Sequence, residues 1–266
     1  MANDKKTVRK IIDAVKASGR TSLTAPEGKQ VCDAYGIPVP KEGVASTAAA
    51  AAKLASGMGY PVGLKIVSPD ILHKTEAGGV LVGVKSAAEV KAGFAKILAN
   101  AKKYDRKAQI LGGQVQQMVG GGQEVIIGAV TDPSFGKLVA FGLGGVLVEV
   151  MKDITFRLAP ATKDDALSML DGIAAAEMLK GVRGADPVNR TALAAVIRNV
   201  SQLVADFPEI AEMDLNPVFA SKAGAIAADV RIVCDWSPPP ARFRPKHDDI
   251  VRDMNRIMKP DAVAVI

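Results

Sequence analysis

Residues 62–84, VGLKIVSPDILHKTEAGGVLVGV, are the stretch of this sequence that most directly determines the fold. Two apolar runs, typical of strands, flank a polar loop, and the first run contains a single lysine, Lys65. The loop carries, in order, His73, Lys74, Thr75, Gly78 and Gly79. Because glycine lets backbone N–H groups approach an anion closely, and because two lysines lie nearby, the loop is predicted to hold phosphate.

Lys65 and His73 each allow two interpretations. An unpaired ammonium in an apolar strand is costly to desolvate, so Lys65 needs an anionic partner, and a nucleotide phosphate would serve. An isolated lysine would instead be one that snorkels from a strand end. His73 alone would be an ordinary surface histidine. Beside the cations and glycines it becomes a candidate phosphate contact or nucleophile, since neutral imidazole is nucleophilic near pH 7.

The composition is that of a globular protein that binds small anions. The chain has 266 residues, 48% hydrophobic and 23% charged, which allows one large domain or two subdomains. Lys and Arg number 34 against 28 Asp and Glu, but the basic residues are scattered and aromatic residues are only 4%. A nucleic-acid surface normally shows a basic stripe with stacking aromatics, so nucleotides or CoA are the favoured ligands instead.

The sequence also predicts a cytoplasmic protein that does not enter a membrane. No apolar stretch reaches the roughly 18 residues that a membrane helix needs. The charged N-terminus, MANDKKTVRK, lacks an apolar signal region. Cys32 and Cys234 lie far apart without metal-ligand spacing, as expected of reduced thiols.

Hydrophobic periodicity and capping motifs predict a mixture of helices and strands. Helices are predicted over 7–17, from Thr24 to Gly36, over 47–56, from Ser86 onward, and over 163–170, 174–180 and 191–205. Besides the two strands of residues 62–84, strands are predicted over 114–119, 124–130 and 138–142, with a closing hairpin of 212–219 and 225–233. The predicted fold class is therefore α/β (α+β), with two α/β subdomains.

The predicted organisation has four parts. They are an N-terminal helix (1–22), a first subdomain (23–113), a second subdomain (114–235) and a tail (236–266). In the tail, the run Ser237-Pro-Pro-Pro240 is predicted to be extended and residues 246–258 to form a charged helix. The final AVAVI is typical of a buried parallel strand, and it is predicted to open a further domain.

The closing hairpin carries a candidate metal site. Alternation places Asp214 and Asn216 on one face of their strand, and Asp229 and Arg231 on one face of the next. Two carboxylates and an amide make an oxygen-rich cluster suited to Mg²⁺, which shares its coordination with nucleotide phosphates. The alternative is the polar, solvated face of an ordinary hairpin.

Two glycine-rich segments complete the set of candidates. Gln116 to Val119 precede the triple glycine 120–122, which suits a hinge at a cleft, and Glu124 could accept hydrogen bonds from ribose. An ordinary hairpin turn would explain the same segment without any function. The run from Phe141 to Gly145, with Glu149, Asp153 and Arg157 after it, lacks the spacing of a dinucleotide-binding loop. It could line the phosphate end of the cleft or simply turn tightly.

Together these segments resemble the ATP-grasp domain of the nucleoside-diphosphate-forming acyl-CoA synthetases. The resemblance is to the β subunit of ADP-forming acetyl-CoA synthetase and, more distantly, to that of succinyl-CoA synthetase. It runs from about Leu23 to Val233 and is carried by LKIVSPDILHKTEAGGV, QQMV with GQEVIIGAVTDPSFG, FGLGGVLVEVMKDITFRLAP, and EMDLNPV with AADVRI. It implies an ATP-grasp fold with the nucleotide cleft between the two subdomains.

The resemblance also implies roles for individual residues. The nucleotide phosphates would contact Lys65, His73, Lys74 and Thr75. Adenine would face Gln116 and Val119, and ribose would bind Glu124. The ligands of Mg²⁺ would be Asn216 and Asp229, with Asp214 beside them. His73 occupies the place of the catalytic histidine that, in the ADP-forming acetyl-CoA branch, takes phosphate from a phosphohistidine on the CoA-binding subunit.

The implied activity is that of an acid–thiol ligase: carboxylate + CoA + ATP in equilibrium with acyl-CoA + ADP + phosphate. CoA and the carboxylate would bind on a CoA-binding (α-type) domain or subunit, in a hetero- or homo-oligomer, so the chain alone would be incomplete. A rival hypothesis is a regulatory nucleotide-binding domain of the kind fused to protein acetyltransferases. The intact set of His73, Lys65, Asn216 and Asp229 weighs against it. The HKTEAGGV loop weighs against an ATP-grasp ligase outside CoA chemistry.

Overall fold

The computed structural model describes residues 3–71, 73–145, 153–182, 184, 186–237, 251 and 254. The chain divides into two compact units, Met1–Trp236 and Ser237–Ile266, and the fold below is that of the first. Glu149, the predicted final strand and most of the predicted charged helix lie outside the described residues.

A four-stranded antiparallel sheet forms the smaller half of the first unit. Its strands are β1 (Glu42–Ala45), β2 (Val62–Val67), β3 (Val80–Val84) and β4 (Gly112–Gln117), in the order β1-β4-β2-β3. Helices α3 (Ala48–Met58) and α4 (Ala87–Tyr104) cover one face, where Leu64, Val90 and Phe94 are buried. Alternation along β1, β2 and β4 gives the opposite face a set of polar side chains.

A six-stranded antiparallel sheet forms the larger half. Its strands are β5 (Gln123–Asp132), β6 (Gly136–Leu143), β7 (Ile154–Leu158), β8 (Ile210–Ser221), β9 (Gly224–Ala227) and β10 (Val230–Cys234). The order is β10-β8-β5-β6-β7, and β9 also pairs with β8. Four helices share its core: α1 (Lys5–Ala17), α2 (Ala25–Ala34), α5 (Lys163–Asp171) and α6 (Arg190–Asp206). A 3₁₀ helix (Ala176–Lys180) follows α5.

The helices begin where the sequence supplies side-chain caps. The side chains of Thr47, Ser86, Thr162 and Asn189 accept hydrogen bonds from backbone N–H groups of the first turns of α3, α4, α5 and α6. These caps satisfy donors that a helix otherwise leaves unpaired. No helix of the described part of the chain is long and apolar enough to cross a membrane.

Within the described residues the predicted helices and strands are confirmed, apart from small shifts at their ends, a 3₁₀ helix in place of the helix predicted over 174–180, and three further differences. Strands β1 and β7 were not predicted. Strand β1 has only four residues and gives a weak signal. Strand β7, ITFRL, does alternate apolar and polar residues, but it is only five residues long and its apolar residues, Ile154, Phe156 and Leu158, are exposed in the structure. The second strand of the closing hairpin is broken into β9 and β10, with residues 228 and 229 between them.

The boundary between the halves also differs from the predicted one at residues 113/114. That boundary falls inside β4, which pairs along its whole length with β1 and β2. Helix α2, predicted in the first subdomain, buries Val31 and Cys32 in the core of the larger sheet. The smaller half therefore comprises residues 42–117, and the chain returns to the larger half through residues 118–122.

Candidate functional site

A cleft of about 600 Å³ lies between the two sheets. The predicted nucleotide-binding residues that line it are Lys65, His73, Lys74, Thr75, Gln116 and Val119. The predicted metal ligands that line it are Asp214, Asn216 and Asp229. Val80, Val82, Met118 and Phe219 supply apolar surface. Residues predicted from separate segments of the sequence are thus brought to a single cavity.

Lys65 has an anionic partner, as its place in an apolar strand requires. Its Nζ lies 2.9 Å from Oδ1 of Asp229 and 3.0 Å from the backbone carbonyl oxygen of Ala228. The side chain of Lys65 is 14% exposed and that of Asp229 is 42% exposed. In this structure, therefore, a residue predicted to hold phosphate and a residue predicted to hold metal neutralise each other.

Asp229 reaches the cleft because a strand is interrupted. Strands β9 and β10 both pair with β8, and the residues between them, Ala228 and Asp229, leave the sheet opposite Asn216 and Pro217. The N–H of Ala228 donates to the carbonyl oxygen of Pro217 at 2.9 Å, which fixes the break. Asp229 and Arg231 both line the cleft, but the prediction that they share a face of one strand is wrong, because Asp229 lies between β9 and β10.

The predicted metal ligands are the carboxylates of Asp214 and Asp229 and the side-chain amide of Asn216. Among the described residues there is no group of three His, Cys, Asp or Glu side chains that could hold a metal ion. Burial raises the pKa of Asp214, Glu212 and Asp229 raise it further, and Arg231 opposes them. A carboxylate desolvated beside other carboxylates favours a cation, so the oxygen donors present here fit Mg²⁺.

Hydrogen bonds between residues of the same loop hold the segment between β2 and β3 in place. The Oγ of Ser68 accepts hydrogen bonds from the N–H groups of Asp70 and Ile71. The N–H groups of Gly78 and Gly79 donate to carbonyl oxygens within the loop, the second to that of Lys74 at 2.8 Å. The prediction that these glycine N–H groups contact phosphate is therefore wrong for this structure, and the side chains of the loop, not its glycines, face the cleft.

His73 lies at the open side of this loop. Its side chain is 69% exposed, and its Nδ1 lies 3.8 Å from an oxygen of Glu76, which is equally exposed. An imidazole in this position is free to meet a group that arrives from solvent or from another molecule. The exposure leaves both interpretations of His73 open, as a ligand or as a nucleophile.

Gly79 is needed for close packing of the loop rather than for an anion. A Cβ at this position would lie 2.6 Å from Cγ2 of the buried Ile66 and 3.1 Å from the carbonyl oxygen of Lys74. We expect Gly79→Ala to lower the free energy of unfolding by about 1–3 kcal/mol, as overpacking does, and to weaken nucleotide binding by displacing Lys74. Chemical denaturation and calorimetric titration with Mg·ADP measure the two effects.

The control for this substitution is Gly57→Ala. Gly57 is exposed in α3, and a Cβ there meets nothing within 4 Å. This change should raise stability slightly, because alanine favours the helix more than glycine does. A Gly79→Ala protein as stable as the Gly57→Ala protein would contradict the packing argument.

Glu124 does not line the cleft. It pairs with Phe219 across strands β5 and β8 and therefore shares the cleft-facing side of the sheet. Residues 124, 126 and 128 do lie on one face, as predicted, because the residues between them are buried. The ribose role of Glu124 stays a prediction.

Asp153 and Arg157, which follow the glycine-rich run from Phe141 to Gly145, make contacts that stabilise the fold. The carboxylate of Asp153 accepts hydrogen bonds from the N–H groups of Ala174 and Ala175 at 2.7 and 2.9 Å. Arg157 donates to the Oγ of Ser168 in α5. Asp153 thus holds the residues just before the 3₁₀ helix, Arg157 holds α5, and neither side chain lines the cleft.

Three features at the cleft were missed by sequence reasoning. The carbonyl oxygen of Ala228 accepts from both Lys65 and Gln116, and Glu42 accepts from the side-chain amides of Gln114 and Gln116. Arg231 lines the cleft while its guanidinium bonds Glu212. Two glutamines spaced by two residues in one strand were a signal for a polar face, but the partner Glu42 lies in an unpredicted strand.

Two sheets that enclose a polar cleft with opposed lysine and carboxylate walls are the architecture of an ATP-grasp domain. The family model for the ATP-grasp domain matches residues 14–234. The chain belongs to the ATP-grasp family, in the branch that contains the β subunits of ADP-forming acetate–CoA ligases.

Relatives of known identity support this assignment. The chain is 46% identical over 225 residues to the β subunit of acetate–CoA ligase (ADP-forming) I from Pyrococcus furiosus, covering 85% of this chain and 97% of that subunit. It is 46% identical over 231 residues to 4-hydroxybutyrate–CoA ligase (ADP-forming) from Nitrosopumilus maritimus, covering 86% of this chain but only 33% of that protein.

Solved structures of an acetyl-coenzyme A synthetase from Ca. Korarchaeum cryptofilum share the fold. One, in complex with coenzyme A and Ca-AMPCP, has a TM-score of 0.83 and 40% identity, covering 85% of this chain and 99% of that chain. Another, with coenzyme A and Mg-AMPPCP, has a TM-score of 0.76 and 38% identity, covers 86% of this chain and 100% of that one, and is described with its phosphohistidine segment pointing towards the nucleotide-binding site.

Proposed function

We propose that this chain is the nucleotide-binding, ATP-grasp part of an ADP-forming acyl-CoA synthetase. It transfers a phosphoryl group between an adenine nucleotide and a histidine, and a CoA-binding partner completes the reaction. The observation that carries the proposal is one cleft that joins an exposed histidine, His73, to the cations Lys65 and Lys74 and to the oxygen ligands Asp214, Asn216 and Asp229. Phosphoryl transfer depends mainly on positioning and charge neutralisation, which these side chains supply.

In this proposal the cleft residues divide into three groups. The phosphates of the nucleotide contact Lys65, Lys74 and Thr75, and the base lies against Gln116, Val119 and the apolar side chains of the cleft. Asp229 and Asn216, with Asp214 beside them, would hold Mg²⁺, which would supply positive charge to neutralise the phosphates. Lys65 then leaves Asp229 and follows the phosphates, because the incoming ligand replaces both partners of the ion pair.

His73 is the proposed nucleophile. An imidazole nitrogen attacks the terminal phosphorus of ATP, a P–N bond forms as the P–O bond to ADP breaks, and ADP leaves with its magnesium. The phosphoryl group then passes to a histidine on the partner. The 69% exposure of His73 supports this role, since a side chain that must meet two molecules in turn has to be accessible from the cleft and from outside it.

The test pairs this chain with a CoA-binding subunit of a relative, or with one encoded with it. Calorimetric titration of the chain with Mg·ADP comes first, followed by assays of ADP release from ATP, CoA and a set of carboxylic acids. We expect micromolar binding by the chain alone and turnover only with the partner. A chain that binds Mg·ADP and gives no turnover with any acid, yet alters a partner enzyme on binding, would favour the regulatory hypothesis. A chain that does not bind nucleotide would exclude both.

A further inference from the structure

One face of the four-stranded sheet carries a row of polar side chains that the proposed function only partly uses. The register pairs Glu42 with Gln116 and Lys65 with Gln114, so all four side chains lie on the face away from α3 and α4. This face meets the break between β9 and β10 in the other sheet. Lys65 and Gln116 belong to the proposed nucleotide site, whereas Glu42 and Gln114 have no role in it.

Glu42 is a half-buried carboxylate satisfied by amides. Its Oε2 accepts hydrogen bonds from Nε2 of Gln114 and from Nε2 of Gln116, the second at 3.3 Å. The nearby lysines are engaged elsewhere, Lys29 with Asp33 at 2.6 Å and Lys65 with Asp229. Burial raises the pKa of Glu42 above its usual value. A carboxylate kept in such a place without an ion-pair partner in the described part of the chain calls for an explanation.

The amide of Gln116 connects Glu42 to the cleft. Its Nε2 has two protons, and it donates to Glu42 and to the carbonyl oxygen of Ala228, the latter at 3.1 Å. The carboxylate can only accept, so it fixes which way the amide points and turns the nitrogen toward Ala228. The same carbonyl oxygen accepts from Nζ of Lys65, and the next residue is Asp229.

We propose that Glu42 is a positioning residue of the nucleotide cleft. Through the amide of Gln116 it holds the Ala228 carbonyl of the opposite sheet, and thereby sets the places of Lys65 and Asp229 before the magnesium nucleotide arrives. The inference rests on the proposed function, since its effect is on a magnesium nucleotide. Glu42 touches no ligand itself, because it does not line the main cleft.

Two substitutions of Glu42 distinguish the effect of its size from the effect of its hydrogen-bond acceptor oxygens. Glu42→Leu keeps the size and removes the acceptor, so the Gln116 amide is no longer fixed. We expect the affinity for Mg·ADP, measured by calorimetric titration of the whole chain, to fall about tenfold, the loss expected for one hydrogen bond to a charged group. Glu42→Gln keeps an acceptor oxygen, and its amide can donate to the Oε1 of Gln114, which is buried and has no hydrogen-bond partner among the described residues. This conservative variant should restore the affinity to within about twofold of wild type.

A double-mutant cycle shows whether Glu42 acts through Gln116. Gln116→Leu alone should weaken Mg·ADP binding, and adding Glu42→Leu should weaken it no further, because the intermediary is already lost. Gln114→Leu is the matched control. Gln114 bonds the same carboxylate and is buried in the same face, but it does not line the main cleft. It should lower thermal stability without changing Mg·ADP affinity.

Several outcomes would overturn the inference. Three results would each show that Glu42 contributes to stability and not to nucleotide binding. They are wild-type affinity for Mg·ADP in Glu42→Leu, additive losses of affinity in the double variant, and an equal loss of affinity in Gln114→Leu. If Glu42→Leu does not fold, Glu42→Asp takes its place in the cycle with the same expectation, since its shorter side chain does not reach Gln116. Failure of the wild-type chain to bind Mg·ADP would instead reject the proposed function, so the two failures are distinguishable.

Discussion

We expect the replacement of His73 with Ala to abolish acyl-CoA synthesis by the assembled enzyme while the affinity for Mg·ADP stays within about twofold of wild type, because a substitution of an exposed side chain costs little binding energy. The side chain is 69% exposed and its Nδ1 lies 3.8 Å from an oxygen of the equally exposed Glu76, so its loss removes the nucleophile and little else. Removal of a nucleophile typically lowers turnover by about 10⁴-fold or more. Turnover is followed as ADP release from ATP, CoA and carboxylate, and binding by titration calorimetry.

The chain supplies its own control for this experiment. His247 is its other histidine, and the same substitution there should leave turnover unchanged if His73 alone carries the phosphoryl group. A second readout is direct: incubation of the chain with radiolabelled ATP should label the wild-type protein with an acid-labile phosphate and leave His73→Ala unlabelled. Undiminished turnover in His73→Ala would end the proposal of a phosphohistidine at this position.

Lys65→Met is expected to have the largest effect on nucleotide binding. The change keeps the length and apolar stem of the side chain but removes the ammonium that lies 2.9 Å from Asp229. Loss of a charge-assisted contact to phosphate, worth about 2–3 kcal/mol, corresponds to a roughly 30- to 150-fold weaker affinity for Mg·ADP. Asp229 also loses its partner in the free protein, so we expect a lower melting temperature in the absence of ligand.

Lys91→Met is the matched control for this prediction. Lys91 is an exposed lysine of α4 in the same half of the molecule, and it does not line the cleft. Its substitution removes the same charge from the same sheet-and-helix layer, so any effect of net charge alone appears in both variants. Equal affinities for Mg·ADP in the two proteins would show that Lys65 makes no contact with the phosphates.

The local elements of this fold follow from the sequence because each has a local cause. Helix α4 begins at the cap Ser86 and repeats its apolar residues at helical spacing, and β2 and β3 are apolar runs separated by a polar loop. The gathering of residues 65, 116, 214 and 229 in one cleft was predicted from the family resemblance and not from periodicity. Spacing within a segment contains no information about which distant segment it meets.

The contacts in the cleft that sequence reasoning missed join distant segments of the chain. The partner of Lys65 lies 164 residues away, and Glu42 and Gln116 are 74 residues apart. The interruption at Ala228 and Asp229 arises because one long strand, β8, pairs with two short strands, β9 and β10. The sequence has no turn motif at that point that would predict the interruption. The loop glycines were misassigned because close packing against Ile66 and close approach to an anion both select glycine.

The order of the chain through the two halves has a consequence for biosynthesis. Helices α1 and α2 are made well before the sheet that covers them: Arg9 bonds Glu209, and the Trp236 indole N–H donates to the carbonyl oxygen of Arg20, 216 residues away. Residues 42–117 contain a complete sheet with two helices of their own and can close as soon as they leave the ribosome. The apolar faces of these two helices therefore stay uncovered until residues 123–234 have been made, and during this interval the nascent chain most needs protection from aggregation.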